Sequence, residues 1–243
     1  MTVFSAILCK NSRIIGGEIV NIVEYPFMAF LRIEKTGELI CGGVIISNYH
    51  ILTSAVCIKK TQNDKVVIKT GSTSSKSIYG PTYQIDLLFI HPDFTEDDTT
   101  TIKLHDFGVI KLKGHIQFDQ VQSKLRLPVK HLPDGINCII LGWGLTSFPF
   151  STISLLLRKG LTKTISNDDC SRIRGVEIHR NLICISTSEE VSANFGDRGG
   201  PLLSTANEFI GIASSIEPSS GNIPNIYIRI YPYLDFIRSV IIN

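Results

Sequence analysis

Apolar residues in this chain come in short runs, some alternating with polar positions and some apolar throughout. The runs are Phe27–Ile33, Gly43–Ile46, Val66–Lys69, Ile85–Ile90, Phe107–Leu112, Cys138–Leu141, Leu182–Ile185, Phe209–Ala213 and Asn225–Ile230. Clusters of Gly, Pro, Asn, Asp and Ser separate them. Many short strands with frequent turn signals predict an all-β sandwich or barrel. The tail differs. After Pro232, Leu234, Ile237 and Ile241 recur at helical spacing, so Tyr231–Ile242 is predicted as one terminal amphipathic helix. Lys113–Leu127 is polar and lies near mid-chain, where it suits a crossover between two β halves. No internal repeat or low-complexity tract interrupts the pattern.

Composition narrows the class. A chain of 243 residues suffices for one large domain or two small ones packed together. With 43% hydrophobic and 19% charged residues it can build a core and is not a disordered segment. A net charge of +2 gives no argument for nucleic acid or a membrane surface. No apolar run reaches the roughly 18–20 residues that span a bilayer. Val3–Leu8 is apolar but lacks a basic flank, which fits a signal remnant or a start inside a pro-segment. None of the six cysteines forms CxxC or a zinc-spaced Cys/His cluster, so no metal and no cofactor is expected. Cys41 with Cys57, and Cys170 with Cys184, are spaced as local staples of an oxidising compartment, which predicts a secreted protein.

Five segments then need one explanation. They are Arg13-Ile14-Ile15-Gly16-Gly17, Leu52-Thr53-Ser54-Ala55-Val56-Cys57, Asp106-Phe107-Gly108-Val109-Ile110-Lys111-Leu112, Gly142-Trp143-Gly144 and Gly196-Asp197-Arg198-Gly199-Gly200-Pro201-Leu202. In this order and spacing they resemble the trypsin/chymotrypsin family of serine proteases, from Ile14 to Asn243. The resemblance implies two packed six-stranded antiparallel β-barrels with a C-terminal helix and a cleft between the barrels. Residues 1–13 would be the pro-segment or signal remnant and 14–243 the protease domain. Within it, the barrels would span about 28–112 and 128–230 and the helix 231–242.

The family's chemistry uses a hydroxyl nucleophile, an imidazole base and a carboxylate that orients the imidazole. By the motifs, the base position is Val56, the carboxylate is Asp106 and the nucleophile position is Arg198. Valine cannot take a proton, and a guanidinium is neither a nucleophile nor deprotonated near neutral pH. Loss of one member of such a unit costs about a million-fold in turnover, so the resemblance implies an inactive homologue. His50, His91 and His105 read as ordinary surface or boundary histidines, with strand alternation turning His105 away from Asp106. Ser54 and Cys138 have no identifiable base. Gly196 matches an oxyanion-hole position. Ser192 stands at the floor of the specificity pocket, Ser214-Ser215-Ile216 on its wall and Asn225 at its mouth, where larger side chains predict a filled pocket.

The resemblance also implies that Arg13–Ile14 is an activation site whose new α-ammonium pairs with Asp197. It gives Cys41–Cys57 and Cys170–Cys184 as disulfides, with Asn194 at one end of an absent third bridge. It leaves Cys138 opposite Ser204, and Cys9 and Cys138 either free or joined as a tether. Arg198 has solvent, Asp106 or Glu217 to face. Ser214 offers a hydroxyl to Asp106.

Among inactive relatives the chain resembles the inactivated serine-protease paralogues of the scabies mite, relatives of the group 3 mite allergens. The grounds are the Ile-Ile-Gly-Gly start, the Asp106–Leu112 segment and the loss of His and Ser with Asp retained. That resemblance implies a secreted, monomeric decoy binding host proteins, complement components among them. The alternative it leaves open is a non-catalytic cofactor in a protease cascade; such homologues usually carry a clip domain, for which the residues before Arg13 leave no room. Asp93–Thr101 and Ser147–Ser154 are candidate recognition loops.

Overall fold

A computed structural model describes residues 17–61, 64–95, 102–145, 153–187, 192–194, 196–217 and 223–242. A short first strand, β1 (Glu18–Ile19), lies on the second half of the molecule before the chain enters the first. There β2 (Met28–Ile33), β3 (Leu39–Ile45), β4 (His50–Thr53), β5 (Val66–Thr70), β6 (Thr82–Ile90) and β7 (Gly108–Lys113) close an antiparallel barrel in the order β2-β3-β4-β7-β6-β5. After a strandless connection, β8 (Asn137–Gly142), β9 (Arg158–Ile165), β10 (Leu182–Ile185), β11 (Pro201–Ser204), β12 (Phe209–Ser215) and β13 (Asn225–Arg229) form the second barrel. Pairing of β8 with β9 closes it, and β1 adds to the start of β9.

Period-2 alternation divides each strand between two cores. In β2, Met28 and Phe30 join a large core shared by both barrels, while Ala29 and Leu31 join a smaller core of the first barrel. In β8, Ile139 and Leu141 join the shared core, and Cys138 and Ile140 a core of the second barrel alone. Strands buried on both faces are apolar at most positions, which is why these runs stand out in the sequence. Trp143 pins the barrels together. Its ring lies 4.9 Å from that of Phe30, and its Nε1 donates to the Thr73 carbonyl at 2.8 Å.

Four strands fall outside the predicted runs: β1, β4, β9 and β11. β9 inverts the usual code, with Gly160 and Thr164 buried and Leu161 60% exposed, so hydrophobic alternation cannot reveal it. β11 begins on Pro201, a place where a strand tolerates proline because no ladder donor is lost inside it. Two short helices, α1 (Ala55–Lys60) and α2 (Asn167–Arg174), also lack a long apolar stripe. α2 is defined by its ends: the Ser166 hydroxyl accepts from Asp169 N–H, and Gly175 closes it at φ 69°. The predicted terminal helix is split into a 3-10 turn at Tyr231–Tyr233 and α3 (Leu234–Ile242), which buries Leu234, Ile237 and Val240. Pro232 lies in the turn, and Ile241 packs only partly against the core.

Disulfides join Cys41 to Cys57 and Cys170 to Cys184. Cys138 is a buried free thiol facing Ser204 across β8 and β11; Cys9 lies outside the described residues. With its cysteines 14 residues apart, the Cys170–Cys184 bridge should contribute about 3 kcal/mol through loop closure. Replacing both cysteines by serine is expected to lower the urea midpoint accordingly; an unchanged midpoint would contradict this.

Candidate functional site

Asp106 is fully buried in the cleft between the barrels, just ahead of β7. Its Oδ1 accepts the Ser54 hydroxyl at 2.6 Å and the Val56 N–H at 2.9 Å. Its Oδ2 accepts the Ser214 hydroxyl at 2.6 Å and has Arg198 Nη1 at 3.7 Å. Ser54 and Val56 come from the junction of β4 and α1, and Ser214 from β12, so the carboxylate draws donors from both barrels. Ser54 stands at the N-cap of α1 but makes no side-chain cap bond; its hydroxyl points to Asp106 and donates there. Hydrogen bonds to an ionised acceptor are the strong kind, and three of them offset the desolvation of this carboxylate.

Arg198 is 27% exposed and turns to Asp106 rather than to solvent or Glu217. Glu217 is already occupied by Arg174 Nη2 at 2.9 Å. The turn carrying Arg198 is fixed by its backbone. The Arg198 carbonyl accepts from Gly42 N–H at 2.8 Å, and a Cβ at Gly199 would meet Thr53 Oγ1 at 2.3 Å, so the turn needs glycine to dock on the first barrel. The cleft here, about 180 Å³, is lined by Leu39, Lys60, Gly196, Arg198 and Ile216 among others. Gly196 adopts φ 98°.

No histidine is bonded to Asp106 among the described residues. His50 is not the surface or boundary residue expected: it is buried at the start of β4 with Nδ1 2.8 Å from Ser47 Oγ, and burial lowers its pKa. His105 does face away from Asp106, but not by strand alternation. It lies ahead of β7 in the left-handed region at φ 56°, and its ring stacks on His91 at 4.8 Å.

The predicted pocket residues interlock. Asn225 is fully buried; its Nδ2 donates to Ser192 Oγ at 3.2 Å and to the Ala193 carbonyl at 3.1 Å, and its Oδ1 accepts from Glu217 N–H at 3.0 Å. Ser214, Ser215 and Ile216 are buried beside them. Arg174 reinforces this wall by donating to the Pro224 carbonyl at 2.7 Å.

Asp197 is buried against the Gly142-Trp143-Gly144 segment. Side chains at both glycines are impossible, since a Cβ at Gly142 would lie 2.0 Å and at Gly144 2.3 Å from its oxygens. Its carboxyl accepts from Gly144 N–H at 2.7 Å and Asn194 N–H at 2.9 Å. Burial nevertheless pushes its pKa up to about 7 against the pull of those two donors. Arg13 and Ile14 lie outside the described residues, as do most of the two candidate recognition loops.

Residues 14–237 match the sequence profile of the family described as Trypsin. The chain belongs to the trypsin family. Venom serine protease 34 of Apis mellifera is 30% identical over 242 residues, covering 95% of this chain and 59% of that protein. The chain therefore spans less than two thirds of that relative. Chymotrypsin-C of Rattus norvegicus is 27% identical over 245 residues, covering 95% of this chain and 90% of its own. Among solved structures, neuropsin, a serine protease expressed in the limbic system of mouse brain, superimposes with a TM-score of 0.82 at 26% identity, covering 93% of this chain and 98% of that one.

Against that family frame, the structure adds two things that motif reading missed. Ser54 is a donor to Asp106, 52 residues away in the chain, an encounter that carries no local signal. The Arg174–Glu217 pair buttresses the pocket wall; its members are 43 residues apart and carry no local signal.

Two predictions follow from these carboxylates. Asp106→Ala strands two hydroxyls and an N–H, and should cost about 3–5 kcal/mol. Arg198→Ala leaves the three short bonds in place and should cost under about 1 kcal/mol; denaturant unfolding of both variants measures the contrast. Asp197 holds its proton up to about pH 7 when folded, but ionises near pH ~4 when unfolded. The folded state binds the extra proton between these values, so stability should fall as pH rises through the window, by up to about 4 kcal/mol. Asp197→Asn is expected to flatten that slope, as read by unfolding at several pH values.

Proposed function

We propose that this trypsin-family protein is a secreted, catalytically inactive homologue that works by binding other proteins, host complement-initiation proteins in particular. The observation that carries the reading is the saturation of Asp106 by Ser54, Val56 N–H and Ser214, with a guanidinium at the nucleophile position. Acyl transfer needs a nucleophile and a base within reach of the oxyanion donors. Val56 supplies only a backbone donor to the carboxylate, and Arg198 offers no lone pair for attack. Ser54 is fully buried and already donates its proton to Asp106, so no substrate carbonyl reaches it. The interlocked Asn225, Ser192 and Ile216 argue further against a side chain entering the specificity pocket.

Two disulfides favour an oxidising compartment, and no helix among the described residues is long and apolar enough to cross a membrane. Complement as the target rests on the resemblance to the scabies mite paralogues. The retained Asp197 pocket keeps a use in such a protein, because an Ile14 ammonium released by cleavage after Arg13 would relieve a buried carboxyl and rigidify the cleft rim.

Protein cut with trypsin after Arg13 is expected to hydrolyse no peptide substrate and to resist labelling by a fluorophosphonate. Turnover that such a serine-directed reagent abolishes would remove the reading. The same cleavage should lower the Asp197 midpoint and raise stability at pH 7. Restoring Val56→His alone or Arg198→Ser alone is expected to give no activity, because the members of such a unit act together. In a serum haemolysis assay the protein should inhibit complement; no inhibition at micromolar concentration sinks the choice of target.

A further inference from the structure

His91, just beyond β6, and His105, just ahead of Asp106, are brought together with Asp93 by the approach of their two chain segments. One ligand atom from each lies within 4.8 Å of the others. We propose that His91, Asp93 and His105 form a divalent transition-metal site, with Zn²⁺ as the ion the ligand set fits best. The site stands apart from the question of catalysis, and its two histidines lie too far apart in the chain to resemble a zinc motif.

Three observations beyond proximity support it. First, His105 Nδ1 is buried and makes no hydrogen bond, which is uncommon for a buried polar atom and leaves a ring nitrogen unspent. Second, His105 is held at φ 56°, one of only two non-glycine residues in the left-handed region among the described residues. Such strain persists where surrounding structure imposes it, and it gathers at functional sites. Here it stacks the His105 ring on His91, with centroids 4.8 Å apart and planes 11° from parallel. Third, the rings of Phe107, Tyr233 and Phe236 wall His91 at centroid distances of 5.1, 5.3 and 5.0 Å. An apolar cup of this kind keeps solvent from one side of the ion and strengthens its attraction to the ligands.

The geometry requires closure and a tilt of the stacked rings, because imidazole lone pairs lie in the ring planes and near-parallel planes do not converge on one ion. Tetrahedral zinc with bonds of about 2.0–2.1 Å places its ligand atoms roughly 3.3 Å apart. Asp93 Oδ2 is 3.9 Å from His91 Nδ1, and its side chain is 72% exposed, so it is the ligand with room to rotate inward; His91 Nδ1 accepts the Asp93 N–H at 3.2 Å, a bond the ion has to replace. Two imidazoles and one carboxylate leave a fourth position open to water, the pattern of an accessible rather than a closed structural site. Binding would clip the rim segment at Asp93 to the turn that presents Asp106.

The test uses untagged full-length protein stripped with EDTA and titrated with Zn²⁺ against a chromogenic chelator. One zinc per chain at micromolar affinity is expected, together with a rise in Tm on adding zinc. Asp93→Asn, at an exposed position, should weaken binding at least about tenfold and lose the Tm rise, since even groups that only support a ligand are worth that much. His105→Asn should do the same, and asparagine tolerates the left-handed backbone. His131→Ala, an exposed histidine elsewhere, should leave binding unchanged. If His105→Asn melts early in EDTA, Asp93→Asn decides alone. Absence of saturable one-to-one binding, affinity that Asp93→Asn leaves intact, or a sulfur ligand in the zinc X-ray absorption spectrum would each overturn the proposal.

Discussion

The buried carboxylate of Asp106 is the constraint on which the barrel interface turns. A carboxylate with no access to water must be met by donors or lose its charge. Here the donors arrive from the β4–α1 junction on one side and from β12 on the other, so satisfying one side chain fixes the relation between two barrels. The demand is met without an imidazole. Val56 contributes its backbone N–H, which any residue but proline would supply, and two serine hydroxyls donate one to each oxygen. The frame around this position therefore survives a change of side chain at residue 56.

The same independence of frame and side chain holds at residue 198. The turn is secured by the Arg198 carbonyl on Gly42 and by Gly199 pressed against Thr53, not by the side chain that the turn presents. Arg198 is thereby free of a structural duty and settles over Asp106, its guanidinium near a charge that is already solvated by the protein. Asp197, one residue earlier, is the contrasting case. It has only two backbone donors and no cation beside it among the described residues, and burial holds its proton on to about pH 7.

Much of the fold was legible because most strands bury both faces and read as mainly apolar runs. β9 escaped because its inward positions are Gly160 and Thr164 while Leu161 points out, so its place in the barrel is set by pairing with β8 and β10 rather than by its own pattern. α1 escaped because it is only six residues long and buries Ala55, Cys57 and Ile58, too few to write a helical stripe. At the site, the motif positions of Val56, Asp106, Arg198 and Asp197 were readable from local sequence. The Asn225–Ser192 bond, the Arg174–Glu217 pair and the stacking of His105 on His91 were not, since each joins residues with no shared local motif.

By itself the sequence determined the chemical inventory: a carboxylate at residue 106, an aliphatic side chain at residue 56, a cation at residue 198 and the cysteines available for bridging. These are covalent facts, and chemistry that a side chain lacks cannot be restored by folding. Tertiary structure alone decided what each group is bonded to and how far it is removed from water. Ser54 and Ser214 reach Asp106 across 52 and 108 residues of chain, and such encounters depend on how every intervening strand pairs. Proton affinity, strain and side-chain direction follow from those encounters, because they are set by neighbours in space rather than neighbours in sequence.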